Sequence, residues 1–329
     1  MIVTVTPNPA IDLTYHVDAF RAGESLRVDG AGMRAGGKGV NVARVVAGFG
    51  EPVLAIATAG GASGREFADD LQSSGIAHRL VPVTSSTRRT VAILDRTSGA
   101  TTILNERGGP LSDAECDALA AAAREALLGY RRGEPGHDDR VLDDRVLDDR
   151  YGDRPACLVV SGSLPPGMPD TFCADLVRFA HEAGVPAVVD AVGAALLAAA
   201  SAGADVVKPN SAELSLTTGV TDPIAGARIL LEHGAGLALV SLGADGMLAV
   251  TPEKALHARL PQPLEGNPTG AGDAAVAAVA VHLAQGDEDL IAMLERATAW
   301  SAAAVLRPLA GEIADGAAQL QHLVTTTDA

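Results

Sequence analysis

Short runs of β-branched and aliphatic residues alternate with helix-length segments along most of this chain. Such runs are typical of buried strands, and the segments between them have the apolar spacing or the alanine content of helices. Strands separated by helices predict βαβ units, and therefore an α/β fold with a doubly wound, mostly parallel sheet. The predicted strands are 2–6, 52–58, 156–162, 186–191, 204–209 and 237–243, and the predicted helices are 39–49, 63–74, 113–129, 170–183, 193–201, 222–233, 271–285 and 288–306.

Two regions depart from this alternation. The stretches 14–32 and 89–106 contain strand-like runs with turn residues between them and no helical segment. Each is predicted to form a hairpin-like pair of strands. Together, segments at about 12–36 and 88–107 predict a small β-sheet that acts as a lid on the main sheet. Its exposed edges would allow two copies to pair as a homodimer.

The stretch 131–155 is an acidic insert in which the five-residue unit D-D-R-V-L repeats. Repeated aspartates, each with an arginine, favour a solvated and disordered linker over a packed element. A docking or metal-binding tail is the functional alternative. Five-residue spacing, however, does not gather carboxylates on one face of a helix.

The composition excludes several classes of partner. Among 329 residues, 25 are basic and 41 are acidic, so the net charge of −16 argues against a nucleic acid or an anionic membrane as partner. The cysteines at 116, 157 and 173 are too widely spaced to predict a disulfide framework or a zinc site. The first residues lack the basic start of a signal peptide, and the apolar runs are too short to cross a bilayer. We therefore expect a cytoplasmic protein.

The stretch 266–284 carries the clearest chemical signal. Gly270, Ala271 and Gly272 precede a long apolar helix, so their backbone N–H groups would point out of its N-terminus and bind an anion. Asp273 follows in the first helical turn. It is either a helix-capping residue or a general base beside an anion-binding turn.

A second glycine-rich stretch, 32–44, nearly matches a nucleotide-binding P-loop. Gly32 and Gly37-Lys38 have the P-loop spacing, but Gly39 stands where a Ser or Thr would hold Mg²⁺. On these residues alone it could be a damaged ATP site, an ordinary turn or a cradle for another anion. A nicotinamide-binding enzyme is disfavoured, because no G-x-G-x-x-G follows the first predicted strand.

Six motifs in order make the chain resemble the ribokinase-like (PfkB) sugar kinases, and among them the branch of the 1-phosphofructokinases and tagatose-6-phosphate kinases. The resemblance implies one ribokinase-like domain over residues 1–329 that uses ATP and Mg²⁺. It also implies that the turn at Gly37 faces the sugar and that ATP binds in the C-terminal half. The motifs are TPNPAID (6–12), AGGKGVNVAR (35–44), VVSGSLPPG (159–167), VVKPNSAEL (206–214), LVSLGADG (239–246) and GAGD (270–273).

On the substrate side, the resemblance implies a cradle for the sugar, in which Lys38 adds charge for a phosphate, and an arginine that binds the phosphate of the substrate. Arg88 is preferred to Arg89 for the phosphate, because successive side chains of a strand point to opposite faces. Each of four residues has a structural alternative to ligand binding. Asp12 could cap a turn, Asn41 could lie on a helix surface, Arg88 could lie on an exposed edge strand, and Ser163 could belong to a structural turn. The implied substrate-binding residues are Asp12, Gly37, Lys38, Asn41, Arg88 and Ser163.

On the nucleotide side, the resemblance implies that Asp273 is the base and that Gly270, Ala271 and Gly272 stabilise the phosphoryl group. Glu213 would hold Mg²⁺ through water; alternatively, Asn210 caps a helix at 211–217 with Glu213 as its partner. The glycines after the strand at 237–243 could be turn residues only. The implied nucleotide-binding residues are Lys208, Asn210, Ser241, Gly243 and Gly246.

The resemblance therefore implies an ATP-dependent kinase that acts on a ketohexose phosphate. Fructose 1-phosphate is the expected substrate and fructose 1,6-bisphosphate the product. Tagatose 6-phosphate or fructose 6-phosphate is the alternative substrate within the same class. A non-catalytic sugar-phosphate sensor is the alternative of another class.

Overall fold

The computed structural model describes residues 1–128 and 155–329, and nearly all of the predicted insert 131–155 lies outside them. The described strands form two sheets, and the predicted α/β class is confirmed. The strands of the large sheet, in chain order, are β1 (Ile2–Thr6), β4 (Val53–Ala59), β5 (His78–Pro82), β8 (Cys157–Ser161), β9 (Ala187–Asp190), β10 (Val206–Val207), β11 (Leu237–Ser241), β12 (Met247–Val250), β13 (Ala255–Arg259) and β14 (Thr325–Asp328). The strands of the small sheet are β2 (Ala10–Val17), β3 (Gly32–Gly36), β6 (Arg88–Asp95) and β7 (Thr101–Asn105).

The large sheet has the strand order β14-β13-β12-β11-β10-β9-β8-β1-β4-β5. Its strands from β11 through β5 pair in parallel, whereas β12, β13 and β14 add an antiparallel edge. The sheet is thus mostly parallel, as predicted. Because the parallel strands point the same way, their carboxyl ends meet along one edge, where ligands of such folds bind.

Helices cover both faces of the large sheet, and each face has its own buried cluster. Leu239, Val276 and Ala304 belong to one cluster, and Val160, Leu176 and Leu230 belong to the other. The described helices are α1 (Lys38–Gly48), α2 (Gly61–Ser73), α3 (Asp113–Leu128), α4 (Phe172–Glu182), α5 (Ala194–Ser201), α6 (Ser211–Thr218), α7 (Pro223–His233), α8 (Ala271–Ala284), α9 (Leu290–Val305) and α10 (Ala317–Gln321). No described helix is long and apolar enough to cross a membrane.

The small sheet has the order β3-β2-β6-β7. β2 and β6 are parallel neighbours, and each has an antiparallel partner on its other side. The predicted strand pair in 14–32 is wrong in its second half, because residues 26–31 form no strand and β2 pairs instead with β3 at 32–36. The apolar residues Leu26 and Val28 suggested a strand, but the five residues of β3 pair with the start of β2, where Asp12 lies opposite Arg34.

Candidate active site

A cavity of about 1390 Å³ lies between the small sheet and the carboxyl ends of the parallel strands. All sixteen residues that the sequence singled out line it. Ser163 follows β8, Asn210 follows β10, and Ser241 ends β11, so strands from one half of the sheet deliver side chains to one place. Their shared position is a property of the structure, and their roles stay predictions.

The turn before α8 has the geometry of an anion-binding helix start. Gly270 precedes the helix with φ of 85°, a conformation that favours glycine. A Cβ at this position would also lie 2.8 Å from Cα of Ala310, so any larger residue would collide. The N–H of Ala271 donates to the carbonyl of Pro268 at 3.2 Å, so the free N–H groups of the first turn are those of Gly272 and Asp273, two residues that line the cavity.

Asp273 is a buried carboxylate in the first turn of α8, with 6% of its surface exposed. Nδ2 of Asn41 in α1 donates a 2.8 Å hydrogen bond to its Oδ2. Burial raises the pKa of Asp273 to about 7, although Lys38, the Asn41 hydrogen bond and Lys208 favour the ionised form, whereas Asp190 disfavours it. A carboxyl group with such a pKa can take up a proton at neutral pH, as a general base must.

Lys38, at the start of α1, lies between two carboxylates. Its Nζ is 3.1 Å from Oδ1 of Asp190 and 3.2 Å from Oε1 of Glu213. Burial alone would lower the pKa of Lys38, but Asp190, Glu213 and Asp273 together raise it above its usual value. Its ammonium group is therefore charged and held close to Asp273.

Lys208 is a second cation at the same place, with only 3% of its surface exposed. Its Nζ is 3.9 Å from Oδ2 of Asp190. A Cβ at Gly272 would lie 3.3 Å from this nitrogen, so the absence of a side chain there lets the ammonium approach the helix start. Burial alone would raise the pKa of Asp190, but Lys208, Lys38 and a hydrogen bond from Ser161 hold it below its usual value.

Asn210 and Glu213 form a reciprocal cap at the start of α6. The backbone N–H of Glu213 donates to Oδ1 of Asn210 at 2.9 Å, and that of Asn210 donates to Oε2 of Glu213 at 2.9 Å. This is the capping alternative stated from the sequence. It does not exclude a ligand role, because Glu213 also faces Lys38 across the cavity.

On the small sheet, Asp12 packs directly onto the backbone of β3. A Cβ at Gly36 would lie 1.9 Å from Oδ2 of Asp12, so only glycine fits there. Burial raises the pKa of Asp12 to about 6, against the effect of Arg88, Thr90 and two further arginines. Asp12 thus presents a half-buried hydrogen-bond acceptor to the cavity.

Arg88 lines the cavity, whereas Arg89 points elsewhere and pairs with Glu66 at 3.0 Å. Nε of Arg88 donates to the carbonyl of Asn8, and Nη1 donates to Oγ1 of Thr90 and to the carbonyl of residue 106. These acceptors are neutral, so the charge of Arg88 is not cancelled by a direct ion pair. The preference for Arg88 over Arg89 agrees with this placement.

At the opposite end of the cavity, β11 ends in Ser241 and a tight turn follows. Gly243 and Gly246 both have positive φ, at 64° and 92°. A Cβ at Gly246 would lie 2.1 Å from the carbonyl oxygen of Ala258 in β13, whereas at Gly243 it would meet open space. Gly246 is therefore required by the fold, while Gly243 leaves room on the cavity side.

Comparison with known proteins identifies the family. The sequence model of a protein family, described as pfkB family carbohydrate kinase, matches residues 5–130 and 150–315. This chain belongs to that family. A 1-phosphofructokinase from Xanthomonas campestris is 32% identical to it, over 91% of this chain and 89% of the relative.

Two further proteins are similar to this pfkB kinase. A tagatose-6-phosphate kinase from Staphylococcus epidermidis is 30% identical over 88% of each chain. The crystal structure of phosphofructokinase-2 from Escherichia coli in complex with fructose-6-phosphate is 29% identical, with a TM-score of 0.81 over 98% of each chain. The resemblance stated from the sequence is confirmed, and so is the activity class of an ATP-dependent sugar kinase.

Sequence reasoning missed several polar residues of this kinase's cavity, and three of them have contacts that are informative. Asp190 ends β9 and binds Lys38, Asn8 follows β1, and Arg34 in β3 pairs with Glu312 at 2.9 Å. A signal existed for two of them, because polar residues that end or follow a buried parallel strand lie at the ligand-binding edge. Arg34 gave no such signal, since its partner is 278 residues away in the chain.

Proposed function

We propose that this kinase transfers the γ-phosphoryl group of ATP to fructose 1-phosphate and so produces fructose 1,6-bisphosphate. The observation that carries the proposal is the buried carboxylate of Asp273, with a pKa of about 7, at the open start of α8. The similarity to a named 1-phosphofructokinase supports this substrate. Tagatose 6-phosphate and fructose 6-phosphate are the alternatives, supported by the two other relatives.

In this proposal, Asp273 takes the proton of the primary hydroxyl at C6 of the sugar. The hydroxyl oxygen forms a bond to the γ-phosphorus while the bond from that phosphorus to the ADP oxygen breaks. The N–H groups of Gly272 and Asp273 and the ammonium groups of Lys38 and Lys208 stabilise the negative charge, whereas the N–H of Ala271 donates to the carbonyl of Pro268. Phosphoryl transfer depends mainly on positioning and electrostatics, which these groups supply.

Lys38 takes a different role here from the one that the sequence suggested. We expected its charge to bind the phosphate that the sugar already carries. Its contacts with Asp190 and Glu213, and its proximity to Asp273, favour a role at the transferring phosphoryl group instead. The phosphate of the sugar is then left to Arg88 and Ser163.

Mg²⁺ would neutralise charge on the ATP phosphates when bound. Within residues 1–128 and 155–329, no three or more Asp, Glu, His or Cys side chains form a metal cage. Both carboxylate oxygens of Glu213 already accept hydrogen bonds from nitrogen. This donor set fits a hydrated ion held mostly by phosphates and water, with Glu213 bound through water.

The small sheet would act as the lid that excludes water from the cavity. It would also supply a homodimer contact, because Leu104 in β7 is 57% exposed although apolar and does not line the cavity. Such exposed apolar residues favour pairing with a second copy. We also place the protein in the cytoplasm, where ATP and sugar phosphates are available.

The test is a panel of ketose monophosphates assayed with ATP. The specificity ratio kcat/KM is measured for fructose 1-phosphate, fructose 6-phosphate and tagatose 6-phosphate, with fructose as the unphosphorylated control. We expect fructose 1-phosphate to exceed each alternative at least tenfold. A higher ratio for a 6-phosphate would reassign the substrate, and no turnover of any of them would refute the kinase proposal.

A further inference from the structure

Among the residues that the structure describes, Arg107 differs from the other cations of the cavity because its side chain has no ion-pair or hydrogen-bond partner. Four cationic side chains contact the protein through ion pairs or hydrogen bonds within the cavity walls. Arg107, in contrast, makes no ion pair and no side-chain hydrogen bond among the described residues, and it is exposed. The four partnered cations are Lys38, Lys208, Arg34 and Arg88.

The backbone of Arg107 is nevertheless fixed. Nδ2 of the buried Asn8 donates to the carbonyl of Arg107 at 3.0 Å and to Oγ of Ser163 at 3.1 Å. The next residue, Gly108, has φ of 84°, and a Cβ there would lie 2.5 Å from Oδ1 of Asn8. The glycine thus permits the close approach that ties this loop to the turn after β8.

The sheet order separates the sugar end of the cavity from the nucleotide end. Asn8 and Ser163 follow β1 and β8, Asp190 ends β9, and Asn210 follows β10. Neighbouring strands are about 4.8 Å apart, so β8 and β10 are separated by about 10 Å with the transfer site between them. Arg107 is anchored at the sugar end, which makes the nucleotide phosphates an unsuitable partner for it.

We propose that Arg107 is a second arginine of the subsite for the phosphate that the sugar already carries, beside Arg88. This inference rests on the proposed function. An entering phosphate brings about two negative charges. Arg88 supplies one cation without a direct ion pair, and Arg107 supplies an uncommitted guanidinium on a cavity-lining residue whose backbone Asn8 links to Ser163. Arg107 therefore determines selectivity for phosphorylated over unphosphorylated ketohexoses.

The test compares Arg107→Ala with Arg89→Ala, a matched control that removes a neighbouring arginine outside the main cavity. Loss of an exposed charge-assisted contact is expected to raise KM for fructose 1-phosphate about tenfold. We expect kcat and the KM for ATP to stay within about twofold, and KM for fructose to be unchanged. Arg107→Lys keeps the charge but not the planar guanidinium group, so its KM for fructose 1-phosphate is expected to be intermediate.

Two results would overturn the inference. One is a KM for Arg107→Ala within twofold of the wild type. The other is an equal rise in Arg89→Ala, which would indicate a general effect of positive charge. Both results leave the kinase proposal intact.

Calorimetric titration with fructose 1-phosphate, without ATP, tests Arg107 independently of turnover. Weaker binding by Arg107→Ala alone supports the inference, and equal binding by both variants and the wild type contradicts it. If the wild type binds the sugar phosphate but phosphorylates nothing, only the proposed function fails. If it does not bind, both fail.

Discussion

Replacing Asp273 with asparagine is expected to stabilise this protein at alkaline pH while it removes most of the turnover. The carboxylate is 6% exposed, and Asn41 is the neighbour that donates a hydrogen bond to it. An asparagine has nearly the same shape and can accept the same hydrogen bond through its side-chain oxygen. The substitution therefore removes the charge and the base without opening a cavity.

The size of the effect follows from the pKa. Burial raises the pKa of Asp273 from 3.8 to about 7, so the folded state binds a proton more tightly than the unfolded chain. The stability that this provides is complete below pH 4 and is lost as the pH rises through 7. At ~1.36 kcal/mol per pKa unit, the ionised carboxylate costs the fold about 4 kcal/mol above pH 7.

Thermal unfolding of the wild type and of Asp273→Asn at pH 4.5 and pH 8.5 measures this difference. Water entering the site would offset part of the cost, so we expect a gain of about 2–4 kcal/mol at pH 8.5, or about 3–6 °C in Tm for a chain of this length. The difference should be small at pH 4.5. Asp69→Asn in α2, where the side chain is exposed, is the control for the removal of one surface carboxylate.

A stability difference that is the same at both pH values would refute the reasoning, since it would mean that the carboxylate is not held in a desolvated site. Activity gives the second readout. Loss of the general base should lower kcat by about 10²- to 10⁴-fold with little change in the KM for either substrate. Near-normal turnover by a folded Asp273→Asn variant would exclude Asp273 as the base.

Three more variants test the neighbours of this carboxylate through the dependence of kcat on pH. Protonation of Asp273 should make kcat fall on the acid side of the profile, and this acid limb should lie near pH 7 in the wild type. Asn41→Ala removes a hydrogen bond that favours the ionised form, so the limb should move up by about one pH unit; a superimposable profile would contradict this. Lys38→Ala should also move the limb up and lower kcat about 100-fold. If its main effect is instead a higher KM for the sugar phosphate, Lys38 binds the phosphate that the sugar already carries. Asp190→Asn removes a repelling charge, so the limb should move down, and an upward shift would show that its effect on Asp273 is misassigned.

Much of the fold could be predicted from local pattern. β1 lies at Ile2–Thr6 as predicted, and α8 ends one residue before the predicted end. Both are long or strongly apolar, and turn residues bound them clearly. The antiparallel edge could not be predicted in the same way, because β13 and β14 are short and partly polar. Their pairing depends on long-range contacts that no local period reveals.

The sequence indicated which residues line the cavity, but it did not indicate the contacts between them. Glycines such as Gly270 mark positions where the backbone must take an unusual conformation, and this requirement is visible in the sequence. The ion pairs of Lys38 are different in kind. The two partners of Lys38 are separated from it by 152 and 175 positions in the sequence, and only the fold brings them together. This is why the sequence could indicate that Lys38 lines the cavity but could not show that Asp190 and Glu213 are its neighbours.

The charge balance at the transfer site explains why the pKa of Asp273 is close to neutrality. Lys38 and Lys208 contribute two positive charges, and Asp190 and Glu213 contribute two negative charges. The cluster is therefore neutral when Asp273 holds a proton, so burial can raise its pKa to about 7 although two ammonium groups oppose this. At neutral pH such a base is about half ionised, so it can accept the hydroxyl proton and release it after transfer. Without the charge of Asp190, which disfavours the ionised form, the lysines would hold the carboxylate ionised and weaken it as a base.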